Sequence, residues 1–394
     1  MQGRHIVKQD SDLMHQRNMK MIYKLIKSER VTTKAKLTRI TKLSPTSIGR
    51  IVGELIENQF VQEVGQESNG VGRKATSLSL NPNRVLAIGV SVDRGLIQAG
   101  IVNVEGELCA SIERPIDHSI SQEMLIRKTV ELIEDLIGRY DGKLKQALVG
   151  IGISVPGPVA WPEGIMQYSP QFRWGNCNFR EELQKQLKRS VLVENNVKSM
   201  AIAEHLFGDM KEYTDFIVFN VGSGVGAAVI SKGRLCRGAS NFAGEIGHTI
   251  IDPNGPLCDC GRHGCFQTYV SMNSVQEHFG MPFSEVIAKR NADKEVQEYL
   301  EQVTDRFAIM TANLVNYYDT KCVLFHGQMQ QEWPEMVNII KEKADKLIWK
   351  SLSKEFEVLG ADIKSEMVAS ASVILSEFLE ADNLEAVEIP RKEI

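Results

Sequence analysis

The chain has 394 residues, 43% of them hydrophobic and 24% charged, which is ordinary for a soluble protein of two or three domains. The absence of any run of about 18 apolar residues excludes membrane insertion by a spanning helix. The polar start MQGRHIVKQDSD lacks the apolar core of a signal peptide, so the expected compartment is the cytoplasm, where seven cysteines read as reduced thiols, not as a disulfide framework.

The net charge of -4 hides an asymmetry: residues 1–80 hold 14 basic and 7 acidic side chains, the remainder 32 and 43. A basic head on an acidic body points to a polyanion-binding module joined to a second function. A basic face that only aids solubility is the plainer alternative.

In the head, NMKMIYKLIKS (18–28) places Met19, Ile22, Tyr23, Leu25 and Ile26 at helical spacing. A second short helix fits TKAKLTRIT, with Thr33 as N-cap and Leu37 and Ile40 on one face. A third follows Ser44, a good N-cap, and Pro45, which suits a first helical position. Its buried stripe is Ile48, Ile51, Val52, Leu55 and Ile56, while Thr46, Ser47, Gly49 and Arg50 point elsewhere. QFVQEV and ATSLSL alternate like a hairpin, joined by ESNGVGRK, which delivers Arg73 and Lys74. Two helices across a tight turn followed by a basic wing predict a winged helix-turn-helix that binds DNA. The competing reading is a helical bundle with a hairpin and no ligand.

NPNR (81–84) is a turn-like junction, after which VLAIGVSV, LIQAGIVNV and ELCASIERPI read as three consecutive strands. Residues 122–139 form an amphipathic helix through Ile126, Val130, Ile133 and Ile137. QALVGIGISV is a buried strand ending in the stiff Pro156-Gly157-Pro158 loop, and VLVENNV is a strand running into a helix from about Val197 to Phe207. DFIVFNVGSGVGAAVISKGRL reads as strand, Gly-rich turn and strand; helices then dominate after Ser284, with one further strand at KCVLFHG. The class is α/β, with three strands opening a mixed sheet.

His248, Cys258, Cys260 and Cys265 supply one imidazole and three thiols, the donor set of a closed tetrahedral zinc site with no open position for activated water. Gly255, Gly261 and Gly264 permit a tight loop, and His263 is a spare donor ranked below His248. The single residue between Cys258 and Cys260 is tighter than common finger spacing, so buried free cysteines remain the alternative.

GISVPGPV (152–159), VENN with AEHLFG (193–208 in all), NVGSGVGAAVISKGRL (220–235), GEIGHT (244–249) and CDCGRHGC (258–265) together resemble the ROK family. With the winged head in front, the likeness is to its NagC/Mlc-type repressor branch. The resemblance implies the two-lobed sugar-kinase/actin-like ATPase fold: a head at 1–80, a first lobe at 81–195 with a C-terminal helix at about 381–394 packing on it, and a second lobe at 196–380. It also implies structural zinc on His248, Cys258, Cys260 and Cys265. Sugar hydroxyls would meet Glu245 and His248, with Pro156, Gly157, Asn195, Asn196 and Gln267 completing the pocket. Without that context, Glu245 would read as a solvated loop acid.

The chain departs from the family's kinase pattern in several places. VEND becomes VENN, leaving Asn196 where a general base should stand; an amide cannot take the sugar proton at neutral pH. The first phosphate motif is Ser91-Val92-Asp93-Arg94-Gly95, the paired glycines are replaced by FHGQMQ (325–330), and Gly-Ala-Ala by Ala369-Ser370-Ala371. Only NVGSGVG keeps a phosphate-loop shape, and such a turn also simply joins strands. The Glu of CGxxGCxE becomes Gln267, an amide that both donates and accepts.

The expectation is therefore a regulator with no catalytic residues, a repressor that binds palindromic double-stranded operator DNA as a homodimer or homotetramer. Its effector would be a sugar or a derivative such as a sugar phosphate or acid sugar. The rivals are control by a regulatory protein partner, docked on Phe307, Leu314 and Tyr317 where these are not core residues, and an ATP-dependent sugar kinase carrying a DNA-binding appendage.

Overall fold

The computed structural model describes residues 3–67, 75–93, 95–117, 119–140, 147–169, 171–351, 356–363 and 365–384. The head comprises α1 (Gly3–Glu29), β1 (Thr32–Thr33), α2 (Lys34–Thr41), α3 (Pro45–Glu57), β2 (Val61–Glu67) and β3 (Ala75–Leu80). Thr33 and Ser44 cap α2 and α3 by accepting from the Lys36 and Ser47 amides. The capping residues thus fix where each helix starts. β1, β3 and β2 form a three-stranded antiparallel sheet. The first helix begins well before residue 18, and Ile40 is 40% exposed, leaving Leu37 as the buried residue of α2.

Two five-stranded sheets make the body. The first joins β4 (Leu86–Asp93), β5 (Leu96–Asn103), β6 (Leu108–Pro115), β7 (Leu148–Val155) and β11 (Val191–Asn195) in the order β11-β7-β4-β5-β6. β4, β5 and β6 run antiparallel, while β7 and β11 are parallel additions. Helices α4 (Gln122–Arg139) and α5 (Phe179–Leu187) lie along this lobe, and β8 (Val159–Ala160), β9 (Ile165–Met166) and β10 (Cys177–Asn178) form a small sheet beside it. α6 (Asn196–Leu206) then leads to the second lobe.

The second sheet, β14-β13-β12-β15-β16, repeats the same connectivity with β12 (Phe216–Val221), β13 (Val225–Ser231), β14 (Arg234–Leu235), β15 (Cys322–His326) and β16 (Glu357–Gly360). β14 and β16 were not anticipated as separate strands; segments of two and four residues carry little periodic signal. Between β14 and β15 come the cysteine loop, α7 (Gln267–Val270), α8 (Met272–Phe279), α9 (Phe283–Lys289) and α10 (Lys294–Tyr318). After β15 follow α11 (Gln328–Glu332) and α12 (Met336–Ala344). Phe307 and Leu314 of α10 are core residues, whereas Tyr317 is 82% exposed.

The last described helix, α13 (Glu366–Glu380), returns to the first sheet and packs on β4, β7 and α6. This return comes earlier than the expected 381–394: residues 381–384 are not helical, and 385–394 lie outside the described residues. Composition explains the position. Gly89 of β4 and Gly152 of β7 sit against the Met367 and Ser370 carbonyls, so close that no Cβ fits, and Ala369, Ser370 and Ala371 are fully buried on the helix side. Ser154 and Ser370 join hydroxyls across this contact at 2.6 Å.

α13 also reaches the head. Tyr23 of α1 meets Phe378 edge-on, with ring centroids 6.3 Å apart, and buried Lys20 donates to the Asn383 carbonyl at 2.9 Å. The head core and the α6–α13 core are one continuous apolar cluster. Among the described residues, no helix is long and apolar enough to cross a membrane.

Candidate functional site

The loop after β14 is folded by its backbone. Cys258 N donates to Arg262 O and Gly261 N to Cys258 O, both at 2.8 Å, while Phe266 N donates to Thr249 O at 2.8 Å. Gly264, at φ +66°, presses on the Asp252 carbonyl where any side chain would collide. The turns bring the donor atoms of His248, Cys258, Cys260 and Cys265 within 4.8 Å of one another. Cys260 Sγ and Cys265 Sγ are 3.5 Å apart, and Cys258 Sγ lies 3.6 Å from His248 Nδ1. A tetrahedral zinc with Zn–S bonds of about 2.3 Å requires ligand separations near ~3.7 Å, whereas a disulfide requires about 2.05 Å. The cluster therefore fits a metal ion and not a disulfide. His263 is committed elsewhere, its Nδ1 lying 2.9 Å from Gly255 O.

Gln267 begins α7 directly after this loop, and its Nε2 donates to Cys258 Sγ at 3.4 Å. An ionised carboxylate could not make that bond. The amide thus faces the metal cluster, and its Oε1 lies by Gly247 and Gly224.

The loop after β7 lies against the start of α6 where the two lobes meet. Gly157, at φ +99°, packs on the Tyr168 carbonyl without room for a Cβ and follows buried Pro156. Asn195 spans this loop and α6: its Oδ1 caps the helix by accepting from Val197 N at 2.9 Å, and its Nδ2 donates to Gly157 O at 3.0 Å. Asn196, half-buried at the first position of α6, accepts from Val197 N at 3.0 Å. Glu245 is half-buried before the turn that carries His248.

Sequence reasoning missed four residues here. Lys198, 2% exposed, donates to the Asn241 carbonyl; burial lowers its ammonium pKa, opposed by the Glu194 and Glu245 carboxylates. Arg237 pairs with fully buried Glu194 and stacks on Trp161, 3.7 Å from the ring centroid. Asn241 donates to Glu194 Oε1 at 3.0 Å and to Val159 O at 2.9 Å. A lysine inside the apolar run of α6 was the available signal; the others are distant in sequence. Together they cross-link the lobes beside Asn195 and Glu245.

A model of the ROK family matches residues 87–373. The chain belongs to the ROK family. Over 382 residues it is 25% identical to the xylose repressor of Bacillus subtilis (strain 168), spanning 94% of this chain and 98% of that protein. Over 266 residues it is 30% identical to the DNA-binding transcriptional dual regulator NagC of Escherichia coli (strain K12), covering 68% of this chain and 65% of that one. Among solved structures, a ROK family transcriptional regulator described as a homolog of the E. coli MLC protein superposes with a TM-score of 0.81 at 22% identity, over 94% and 98% of the two chains. A ROK family glucokinase from Streptomyces griseus, in complex with glucose and AMPPNP, superposes at 0.63 and 21% identity, over 73% of this chain and 98% of its own. Coverage of 94% cannot be reached without the winged head.

On the head of this ROK chain, Thr46 and Arg50 are exposed on α3, with Ser47 and Gly49 half-exposed beside them. Arg73 and Lys74 lie outside the described residues. The turn between β12 and β13 keeps Gly222 and Gly224 uncrowded. The first-lobe turn differs: the Glu366 carboxyl is pushed up to about 7, by burial and then by Asp93. Ala369-Ser370-Ala371 serves helix-on-sheet packing, and burial lowers His326 to about 4 where its Nδ1 meets Asn220 Oδ1 at 3.1 Å.

Proposed function

We propose that this ROK protein is a sugar-responsive transcriptional repressor without kinase activity, acting in the cytoplasm. The observation that carries the reading is Asn196. It stands at the start of α6 beside the cleft, with its Oδ1 engaged by a helix amide, where general-base assistance worth about 10²–10⁴-fold in rate would be needed. Repressor relatives that match along nearly the whole chain support the regulatory role.

Residues 1–80 form the DNA-binding head, reading operator DNA through Thr46, Ser47, Gly49 and Arg50, with Arg73 and Lys74 on the wing. The lobes span 81–195, completed by α13 on its sheet, and 196–365. His248, Cys258, Cys260 and Cys265 hold structural zinc; the ion supplies cross-linking, and His248, turned to it by Nδ1, offers Nε2 to the cleft. Glu245 and His248 meet sugar hydroxyls. Asn195, Pro156 and Gly157 shape the wall, Asn196 lies at its edge, and Gln267 bridges cleft and metal loop. A homodimer or homotetramer would place two heads on a palindrome, and the effector would favour a lobe arrangement that separates them.

A thermal-shift screen with xylose, N-acetylglucosamine, their phosphates and sugar acids tests this, repeated with Glu245→Ala and paired with operator gel shifts. A sugar that stabilises the wild type, releases DNA and loses its effect in the variant is expected. Stabilisation that survives Glu245→Ala would remove the pocket, and ATP-dependent phosphorylation of any sugar would restore the kinase reading.

A further inference from the structure

Three side chains in the head form a closed ring between α1 and α3. Arg50 Nη2 donates to His15 Nδ1 at 2.9 Å, and His15 Nε2 lies 2.6 Å from Glu54 Oε2. The third side of the ring is long: Arg50 Nε stands 4.0 Å from Glu54 Oε1. A guanidinium only donates, so Nδ1 must accept, which places the ring proton on Nε2 facing Glu54. His15 is mostly shielded, with 22% of its side chain exposed, while the Arg50 side chain is 65% exposed on the outer face of α3.

From this geometry we propose that His15 is a positioning residue for DNA recognition: it holds Arg50 extended from α3 and keeps Glu54 from neutralising it. The proposal rests on the reading that Arg50 contacts operator DNA. Arg50 and Glu54 are four apart on one helix, the spacing at which an ion pair forms by default. Here the carboxylate instead takes the shorter bond to His15. The guanidinium keeps uncommitted N–H donors for phosphate or a base edge, and anchoring removes rotamer freedom that binding would otherwise have to freeze. Without His15, Glu54 would close onto Arg50 and compete with the DNA. A residue 35 positions upstream of Arg50, outside the helix-turn-helix, thereby sets the state of its exposed cation.

The test is a double-mutant cycle on the full-length protein, using a duplex that the wild type selects from random-sequence DNA. His15→Ala should weaken binding by about 2- to 10-fold, the lower part of the range of coupling between contacting residues. It should add nothing in an Arg50→Ala background. His15→Gln should restore affinity, because its carboxamide can accept from Arg50 and donate to Glu54. Glu54→Gln should recover part of the loss in the His15→Ala background by removing the competing charge. Equal losses from His15→Ala with Arg50 or alanine at position 50 would overturn the proposal, as would failure of His15→Gln to rescue. If Arg50→Ala itself left affinity unchanged, the DNA-contact reading would fall instead.

Discussion

The two lobes share one connectivity but fill their sheets in opposite ways. In the first, a cross-strand row reads Gly100, Gly89, Gly152; α13 lays its backbone on Gly89 and Gly152 and its Met367 side chain on Gly100. In the second, a row reads Ala227, Phe219, Phe325; the two rings stack 4.9 Å apart and Phe307 of α10 meets both edge-on. One lobe is sealed by close backbone approach, the other by side-chain volume. The first solution fixes a helix in place, and that helix continues to Phe378 and the head. The second leaves the lobe's outer loops free to carry the metal cluster. The same topology thus supplies a stiff connection to the head on one side and carries the His/Cys loop on the other.

Removing the metal should separate the lobes most sharply. Structural zinc supplies about 10 kcal/mol to small zinc folds at pH 7, so chelation should abolish amide protection across residues 249–266 while leaving β4 and β7 protected. Hydrogen exchange reads this directly, and equal loss in both lobes would break the distinction.

Next in size are the packing substitutions, among them Gly89→Ala. A single methyl there meets the Met367 carbonyl, and overpacking should cost about 1–3 kcal/mol or more, read as a lower unfolding midpoint. Gly152→Ala, against the Ser370 carbonyl, should behave alike. In the second lobe the damaging change is the reverse: Phe325→Ala should cost about 3–5 kcal/mol by cavity formation, whereas Ala227→Gly should be far milder.

The pH response of the second lobe should show His326. Its pKa is about 4 in the fold, against 6.5 as the ordinary value. Between those values the unfolded chain binds the extra proton, so stability is intact above pH 6.5 and declines as pH falls toward 4. His326→Asn should flatten that decline in thermal melts. The smallest effect belongs to Ser370→Ala, which removes one hydroxyl pair with Ser154 at a cost of about 1 kcal/mol.

Much of the fold was legible along the chain. Ser44, Pro45 and the Ile48–Leu55 stripe announce α3, and strand alternation announces the β2–β3 hairpin. Apolar runs locate β4, β7, β11 and β12 because buried strands need continuous hydrophobicity. The candidate metal donors were legible because four residues of two uncommon ligand types crowd one Gly-rich loop. Strand β16 and the placement of α13 were not, since a short strand lacks a period and a helix's partner is not encoded by its own spacing.

The sequence by itself determined the local chemistry: which residues cap, which are buried, and that position 196 holds an amide and not a base. Tertiary structure alone decided partnership. Gln267 turns to Cys258, Arg237 crosses the cleft to Glu194, and His15 reaches Arg50, each across a gap that sequence distance does not reveal. Hydrogen bonds and ion pairs act over about 3 Å of space, whatever the length of chain between the groups, so only the folded backbone could assign them.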